Sequence, residues 1–242
     1  MSYTLTLPQF NATFSRPLPQ TRTLLVAGGR APQNAWLKEA AANKDIWCAD
    51  HGLDACIAAS LTPQHLIGDG DSASSSGWAW SKAHHIPTEK FSPLKDLTDT
   101  QLALQKIKET YETTFVIFTG VWGGRFDHAF SNIYSLQGFC DKHFSGCAAD
   151  DKEVLLFLKG TNHVSIDFSL LPESISLLPL EPNCTGVSID GVYWPLDKVE
   201  LNTTLPYAIS NKLAASSKQV KVSLTAGIIG IYCQWNEKEL IS

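Results

Sequence analysis

The sequence predicts a mixed α/β fold in two parts: an N-terminal parallel-sheet, Rossmann-like α/β domain over residues 1–150 and a C-terminal all-β sandwich domain over residues 151–242. Two observations carry this. From Thr23 to about Asp150 short apolar runs alternate with helix-like segments, the rhythm of βαβ units whose parallel sheet is covered on both faces. After about Asp150 the helical rhythm fades, and short apolar stretches follow one another between Pro, Gly, Asn and Asp turn signals, as in an antiparallel sandwich or barrel. The 242 residues are 44% hydrophobic and 18% charged, enough apolar surface for a core and without the signature of disorder.

Residues 1–20 match no pattern and form an extension of unknown role. Strands are then predicted at Leu24–Ala27, Ile46–Ala49, Leu66–Ile67 and Phe115–Thr119, with helices at Asn34–Ala42, Asp99–Tyr111 and Asp127–Gly138. The strongest helix begins at Thr98, an N-cap residue followed three positions later by Gln101 in the capping-box pattern; Leu102, Ala103, Leu104 and Ile107 give it an apolar stripe. Ser72–Ser76 reads as a loop. In the second half, seven strands are expected: Glu153–Lys159, His163–Phe168, Ser174–Leu180, Cys184–Leu196, Tyr207–Leu213, Gln219–Leu224 and Gly227–Gln234. Within the sixth, Val220 to Leu224 alternate strictly.

Composition excludes several function classes. A net charge of −5 with scattered Lys and Arg argues against a nucleic-acid binder. No stretch approaches the roughly 18 apolar residues of a membrane span, so neither membrane nor nucleic acid is an expected partner, and the cytoplasm is the expected location. Six cysteines without a CxxC pair read as reduced thiols rather than a zinc site or a disulfide framework.

Three acidic, glycine-bounded segments follow predicted strands or open a predicted helix. In Gly68-Asp69-Gly70-Asp71-Ser72, two carboxylates one residue apart can converge on a hard cation such as Mg²⁺; the same residues also make an ordinary surface turn. The segment formally fits the dinucleotide fingerprint G-x-G-x-x-A, but its carboxylates would repel a bare pyrophosphate. Lys95-Asp96-Leu97-Thr98-Asp99 stands at the start of the strong helix, where the helix dipole alone also explains acids. Gly123-Gly124-Arg125-Phe126-Asp127-His128 combines a fork-shaped phosphate donor, a carboxylate and a histidine that can serve as acid, base or cap. Together they describe a metal-assisted phosphate site. No Walker A, H-E-x-x-H or G-x-S-x-G pattern competes.

These segments resemble the signature blocks of the thiamine pyrophosphokinases: Ala49-Asp50-His51-Gly52-Leu53-Asp54-Ala55, Ile67–Ser72, Lys95–Leu104 and Gly123–Ile133 in that order, continued by Gly191–Leu196 and Ser210-Asn211. The chain departs from the usual pattern at His51, where glycine is common, at Asp54 and at Gly70. The resemblance implies ATP as co-substrate, thiamine as acceptor, Mg²⁺ as cofactor, and a homodimer with thiamine held near the interface by the β-rich domain. It further implies Asp69, Asp71 and Asp99 as metal acids, with Asp71, Asp99, Arg125 and Asp127 as the catalytic set. Asp50, Lys95, Asp96, Thr98, Arg125 and His128 fall on the ATP side, and Trp194, Ser210 and Asn211 on the thiamine side. Trp194 reads equally well as a sandwich-core tryptophan. Two other readings compete: a related diphosphokinase acting on another hydroxymethyl heterocycle, such as a pterin, and a non-catalytic thiamine- or nucleotide-binding module. The retained carboxylate cluster argues against the latter.

Overall fold

The computed structural model describes residues 2–68, 75–91 and 96–236. In chain order, β1 (Ser2–Leu7) and β2 (Phe10–Leu18) precede an alternation of β3 (Arg22–Val26), α1 (Asn34–Ala41), β4 (Asp45–Ala49), α2 (Gly52–Ala58), β5 (His65–Gly68), α3 (Ser75–Ala83), β6 (Thr88–Lys90), α4 (Asp99–Thr110), β7 (Thr114–Thr119), α5 (Phe126–Phe139) and β8 (Phe144–Ala149). Strands alone follow: β9 (Glu153–Lys159), β10 (Asn162–Phe168), β11 (Ser174–Pro179), β12 (Asn183–Asp190), β13 (Leu196–Asn202), β14 (Gln219–Leu224) and β15 (Ile228–Gln234). The chain divides into two compact units, Pro19–Asp150 and Met1–Leu18 with Asp151–Ser242.

In Pro19–Asp150 the strands pair in the order β8-β7-β3-β4-β5-β6, every pair parallel. All six residues of β7 and the last four of β3 and β4 are buried, as continuous apolar runs must be in a sheet covered on both faces. The chain steps outward from β3 to β6, returns through α4 to β7 on the other side of β3, and continues to β8. The direction of winding therefore reverses between β3 and β7. In open parallel sheets the crevice at such a reversal, beyond the carboxyl ends of the strands, is where ligands bind. The capping box is formed: the Gln101 N–H donates to Thr98 Oγ1 at 3.2 Å and the Thr98 N–H to Gln101 Oε1 at 2.9 Å, fixing where α4 starts. Thr100, Ala103, Leu104 and Ile107 form its buried face, whereas Leu102 is only half-buried.

The other unit is antiparallel. One sheet runs β1-β2-β10-β14-β12-β13, and β11, β15 and β9 pair as a second group. Residues 2–18, read from the sequence as an extension of the N-terminal part, pair instead within this unit. In β2, Phe10, Ala12 and Phe14 are buried while Asn11, Thr13 and Ser15 are exposed, and this period-two face joins β10. Phe10 stacks on Trp235 at 6.4 Å and meets Phe168 edge-on at 6.3 Å; the Trp235 Nε1–H donates to the Leu170 carbonyl.

Two expected strands are corrected. Cys184–Leu196 is broken after Asp190, where Gly191 takes φ +83° and Pro195 has no N–H for a ladder; a new strand, β13, begins at Leu196. Tyr207–Leu213 forms only isolated bridges at Asn211 and Leu213, because Pro206 precedes it and Ser210 sits at φ +56°. Ser75 and Ser76, expected in a loop, open α3; the remainder of that serine run lies outside the described residues.

Replacing Phe10 by Ala removes a fully buried ring from the Phe10, Phe168 and Trp235 cluster. The expected loss is about 3–5 kcal/mol in the midpoint-derived stability from chemical denaturation. Wild-type stability would contradict a core role for the N-terminal hairpin.

Candidate functional site

The turn after β3 and the turn after β7 are stitched together by backbone bonds. Ala27 N–H donates to Thr119 O at 2.9 Å, Gly29 N–H to Gly120 O at 2.9 Å, and Arg30 N–H to Trp122 O. Glycine is required on both sides of this seam. A Cβ on Gly29 would stand 2.3 Å from the Gly120 carbonyl oxygen, and one on Gly120, at φ +69°, 2.2 Å from the Ala27 carbonyl oxygen. The seam lies at the β3–β7 reversal and floors a cleft of about 960 Å³. The walls come from the turn after β4 (Asp50 and His51), the start of α4 (Thr98 to Thr100) and the start of α5 (Arg125, Asp127 and His128).

The starts of α4 and α5 therefore both border the cleft, so the positive ends of two helix dipoles favour an anionic ligand there. Asp50 holds φ +50° in the turn, and its Oδ1 lies 2.9 Å from where a Cβ on Gly68 would stand, which explains a glycine at the end of β5. Arg125 is engaged as a fork, its Nε donating to Asp127 Oδ1 at 3.0 Å and its Nη2 to Asp127 Oδ2. The Asp127 carboxylate also accepts from the His128 N–H at 3.0 Å. These bonds, that from Arg125 first, hold the Asp127 carboxyl below the usual carboxylate range and push Arg125 up. Both side chains remain largely exposed, at 72% and 61%.

Of the residues singled out in the sequence, Asp50, Thr98, Asp99, Arg125, Asp127 and His128 are brought together in this cleft. Asp96 is exposed and does not line it. Asp69, Asp71 and Lys95 lie outside the described residues. Among the described residues no three acids, histidines or cysteines cluster around a metal position; Asp99 is the only member of the expected metal set that is described. Sequence reasoning missed Arg30, which lines the cleft and donates from Nε and Nη2 to Asp150 Oδ2 at 3.2 and 2.6 Å. The signal available was the Gly28-Gly29 pair directly after a predicted strand.

In the β-rich unit, Trp194 and Asn211 line a small apolar pocket of about 130 Å³ with Ile175, Leu177, Tyr207 and Ile209. Trp194 is 57% exposed, which overturns the core-tryptophan reading. Asn211 spends its amide on the tryptophan backbone: Nδ2 donates to Trp194 O at 2.7 Å and Oδ1 accepts from Trp194 N–H at 3.1 Å. The same Oδ1 also accepts from the Lys212 N–H at 2.9 Å. Ser210 does not line the pocket; its N–H donates to Ser176 Oγ at 3.0 Å.

Two outcomes follow from the cleft geometry. Gly120→Ala forces a Cβ into the Ala27 carbonyl and a residue into the left-handed region, so a stability loss of more than about 1 kcal/mol is expected in thermal or chemical denaturation. The Asp127 carboxyl, followed by NMR, is expected to titrate below its ordinary value of 3.8 and to return toward it in Arg125→Ala. Because the folded value is the lower one, the pair's contribution is present above the unfolded value and disappears as pH falls through the folded one. A midpoint at or above 3.8 in the unsubstituted protein would contradict the pairing.

Comparison with known proteins agrees with the order of the motifs. Residues 37–146 match the thiamin pyrophosphokinase catalytic domain, and residues 162–229 the thiamin pyrophosphokinase vitamin B1 binding domain. Thiamin pyrophosphokinase 1 of Caenorhabditis elegans is 23% identical over 144 residues, a match that spans 59% of this chain and 59% of that relative. The fold is similar to thiamine pyrophosphokinase from Bacillus subtilis, with a TM-score of 0.78 at 21% identity over 89% of this chain and 100% of that one. It is also similar to thiamin pyrophosphokinase from Candida albicans, with a TM-score of 0.75 at 14% identity over 89% of each chain. With two family domains matched in sequence order along most of its length, the chain belongs to the thiamin pyrophosphokinase family.

Proposed function

We propose that this chain transfers the pyrophosphoryl group of ATP to the hydroxyl of thiamine, giving thiamine diphosphate and AMP. The observation that carries the reading is the joint presence of a catalytic and a vitamin B1 binding domain, with the catalytic match containing an anion-suited cleft at the β3–β7 reversal. In this reading ATP occupies the cleft and thiamine is held by the β-rich unit. The thiamine hydroxyl oxygen bonds to the β-phosphorus, the bond from that phosphorus to the α,β-bridging oxygen breaks, AMP leaves, and the hydroxyl proton passes to a carboxylate.

Phosphoryl transfer of this kind depends on positioning and charge stabilisation. The α4 and α5 N-termini and Arg125 orient the polyphosphate, while Asp127 holds the Arg125 fork in place. Thr98, Asp50 and His128 border the nucleotide, with Lys95 and Asp96 assigned to the same side by their motif. Asp71 or Asp99 accepts the hydroxyl proton. Asp69, Asp71 and Asp99 form an oxygen-only donor set of the kind Mg²⁺ takes, and Asp99 borders the cleft. These residues would hold the ion, and the chemistry supplied there would be neutralisation of polyphosphate charge. The exposed face of Trp194 suits the cationic thiazolium, an attraction of roughly 0.5–2 kcal/mol.

The finer architecture belongs to the same reading: a Rossmann-like Pro19–Asp150 unit, supported by its all-parallel sheet, and a β-sandwich, supported by Phe10, Phe168 and Trp235 packing strands of one sheet against the segment after β15. So do a homodimer, for which exposed Phe126, Phe130 and Tyr134 along α5 supply apolar surface, and a cytoplasmic location, which suits six cysteines that form no disulfide. Among the described residues no helix is long and apolar enough to cross a membrane.

The test is product analysis with ATP, Mg²⁺ and thiamine. AMP and thiamine diphosphate are expected in equal amounts, and Asp99→Ala is expected to lower kcat at least about tenfold. Trp194→Ala is expected to raise KM for thiamine more than KM for ATP. AMP formation only with a pterin-like acceptor would overturn the substrate, and thiamine binding without turnover would overturn the enzyme.

A further inference from the structure

We propose that Arg30 is a substrate-binding residue of the cleft, its guanidinium held by Asp150 in place to receive the polyphosphate of the nucleotide; this rests on the pyrophosphokinase reading above. Arg30 belongs to none of the motif blocks that carry the family resemblance, and the fold alone brings it to the site. It follows the Gly28-Gly29 turn at the carboxyl end of β3, on the side of the winding reversal, and its own N–H is fixed to the Trp122 carbonyl of the β7 turn. Gly123 is shaped to it: a Cβ there, at φ +86°, would stand 2.8 Å from the Arg30 Cβ.

The electrostatics of the pair separate it from a packing bridge. The Asp150 side chain is 0% exposed, while Arg30 retains 29% and borders the cleft. Asp150 Oδ2 accepts from both Nε and Nη2 of the planar guanidinium. A sunken carboxylate beneath a half-exposed guanidinium fixes the plane of the fork before any ligand arrives, so the ordering entropy of a long side chain is already lost on folding. Arg125, on the facing turn, is 72% exposed and tied to an equally open Asp127, and therefore has more freedom left to lose on binding. A permanently charged fork is complementary to phosphate oxygens, and it repels cationic thiamine. Arg30 thus acts on the nucleotide and not on the acceptor.

The experiment compares the full-length protein with Arg30→Ala, Arg30→Lys and the double variant Arg30→Met with Asp150→Asn, which leaves no buried carboxylate without its counter-charge. Affinity for α,β-methylene-ATP with Mg²⁺ is measured by calorimetry, and KM for ATP and for thiamine by steady-state kinetics. Arg30→Ala and the double variant are expected to bind the analogue about tenfold more weakly and to raise KM for ATP by a similar factor, with KM for thiamine within about twofold of wild type. Arg30→Lys, a point charge in place of the fork, is expected to fall between. If Arg30→Ala fails to fold, the double variant decides. A folded variant with unchanged analogue affinity, or with both KM values raised equally, overturns the proposal and leaves the pair a structural one. A wild-type protein that binds the analogue yet makes no thiamine diphosphate overturns the pyrophosphokinase reading instead, and the affinity comparison still decides the role of Arg30.

Discussion

Two backbone turns in the Pro19–Asp150 unit approach so closely that no side chain fits between them. Gly29 and Gly120 meet through an N–H to carbonyl bond of 2.9 Å, and a methyl group on either would overlap a carbonyl oxygen of the other turn. This seam sits where the sheet changes its direction of winding, and its glycines line the cleft together with Arg30, Asp50, Asp99, Arg125, Asp127 and His128. Arg30 and Arg125 are each placed by a glycine turn, and the acids and helix starts are arranged about them.

The charge pattern follows from that placement. Anions are favoured by two helix starts and two arginines, yet each arginine has its own aspartate: Asp150 buried beneath Arg30, Asp127 exposed beside Arg125. A cleft of unmatched cations would be unstable when empty; one whose cations are held by carboxylates keeps its geometry and remains able to receive a polyphosphate. In the β-rich unit, Asn211 Nδ2 donates to the Trp194 carbonyl and its Oδ1 accepts from the N–H groups of Trp194 and Lys212, while the Trp194 ring stays open to solvent.

Much of this was legible in the sequence, for physical reasons that differ by element. Buried parallel strands such as Thr114–Thr119 announce themselves as continuous apolar runs, and α4 announces its start through Thr98 and Gln101. The β13 strand was hidden because it is an edge strand whose Asp197, Lys198 and Glu200 face solvent and break the apolar pattern. The hairpin at residues 2–18 carried a clear alternation in Phe10, Ala12 and Phe14, but its partner strand lies about 150 residues away in sequence, and nothing local points to it. Asp50, Thr98, Asp99, Arg125, Asp127 and His128, which the motifs singled out, line the cleft, whereas Arg30 became visible only once β3 and β7 were adjacent. Ser210, expected on the thiamine side, sits in a left-handed turn and its N–H is bonded to Ser176 Oγ.

The placement of the ligand at the β3–β7 reversal is tested most directly by titrating the ¹⁵N-labelled protein with Mg²⁺ and α,β-methylene-ATP and following the backbone amides. The largest shifts are expected at Gly28, Gly29 and Arg30 after β3, at Gly123 and Gly124 after β7, and at the first turns of α4 and α5. Shifts that leave the Gly28–Arg30 and Gly123–Arg125 turns untouched and fall on another part of the chain would contradict a site built on the glycine seam.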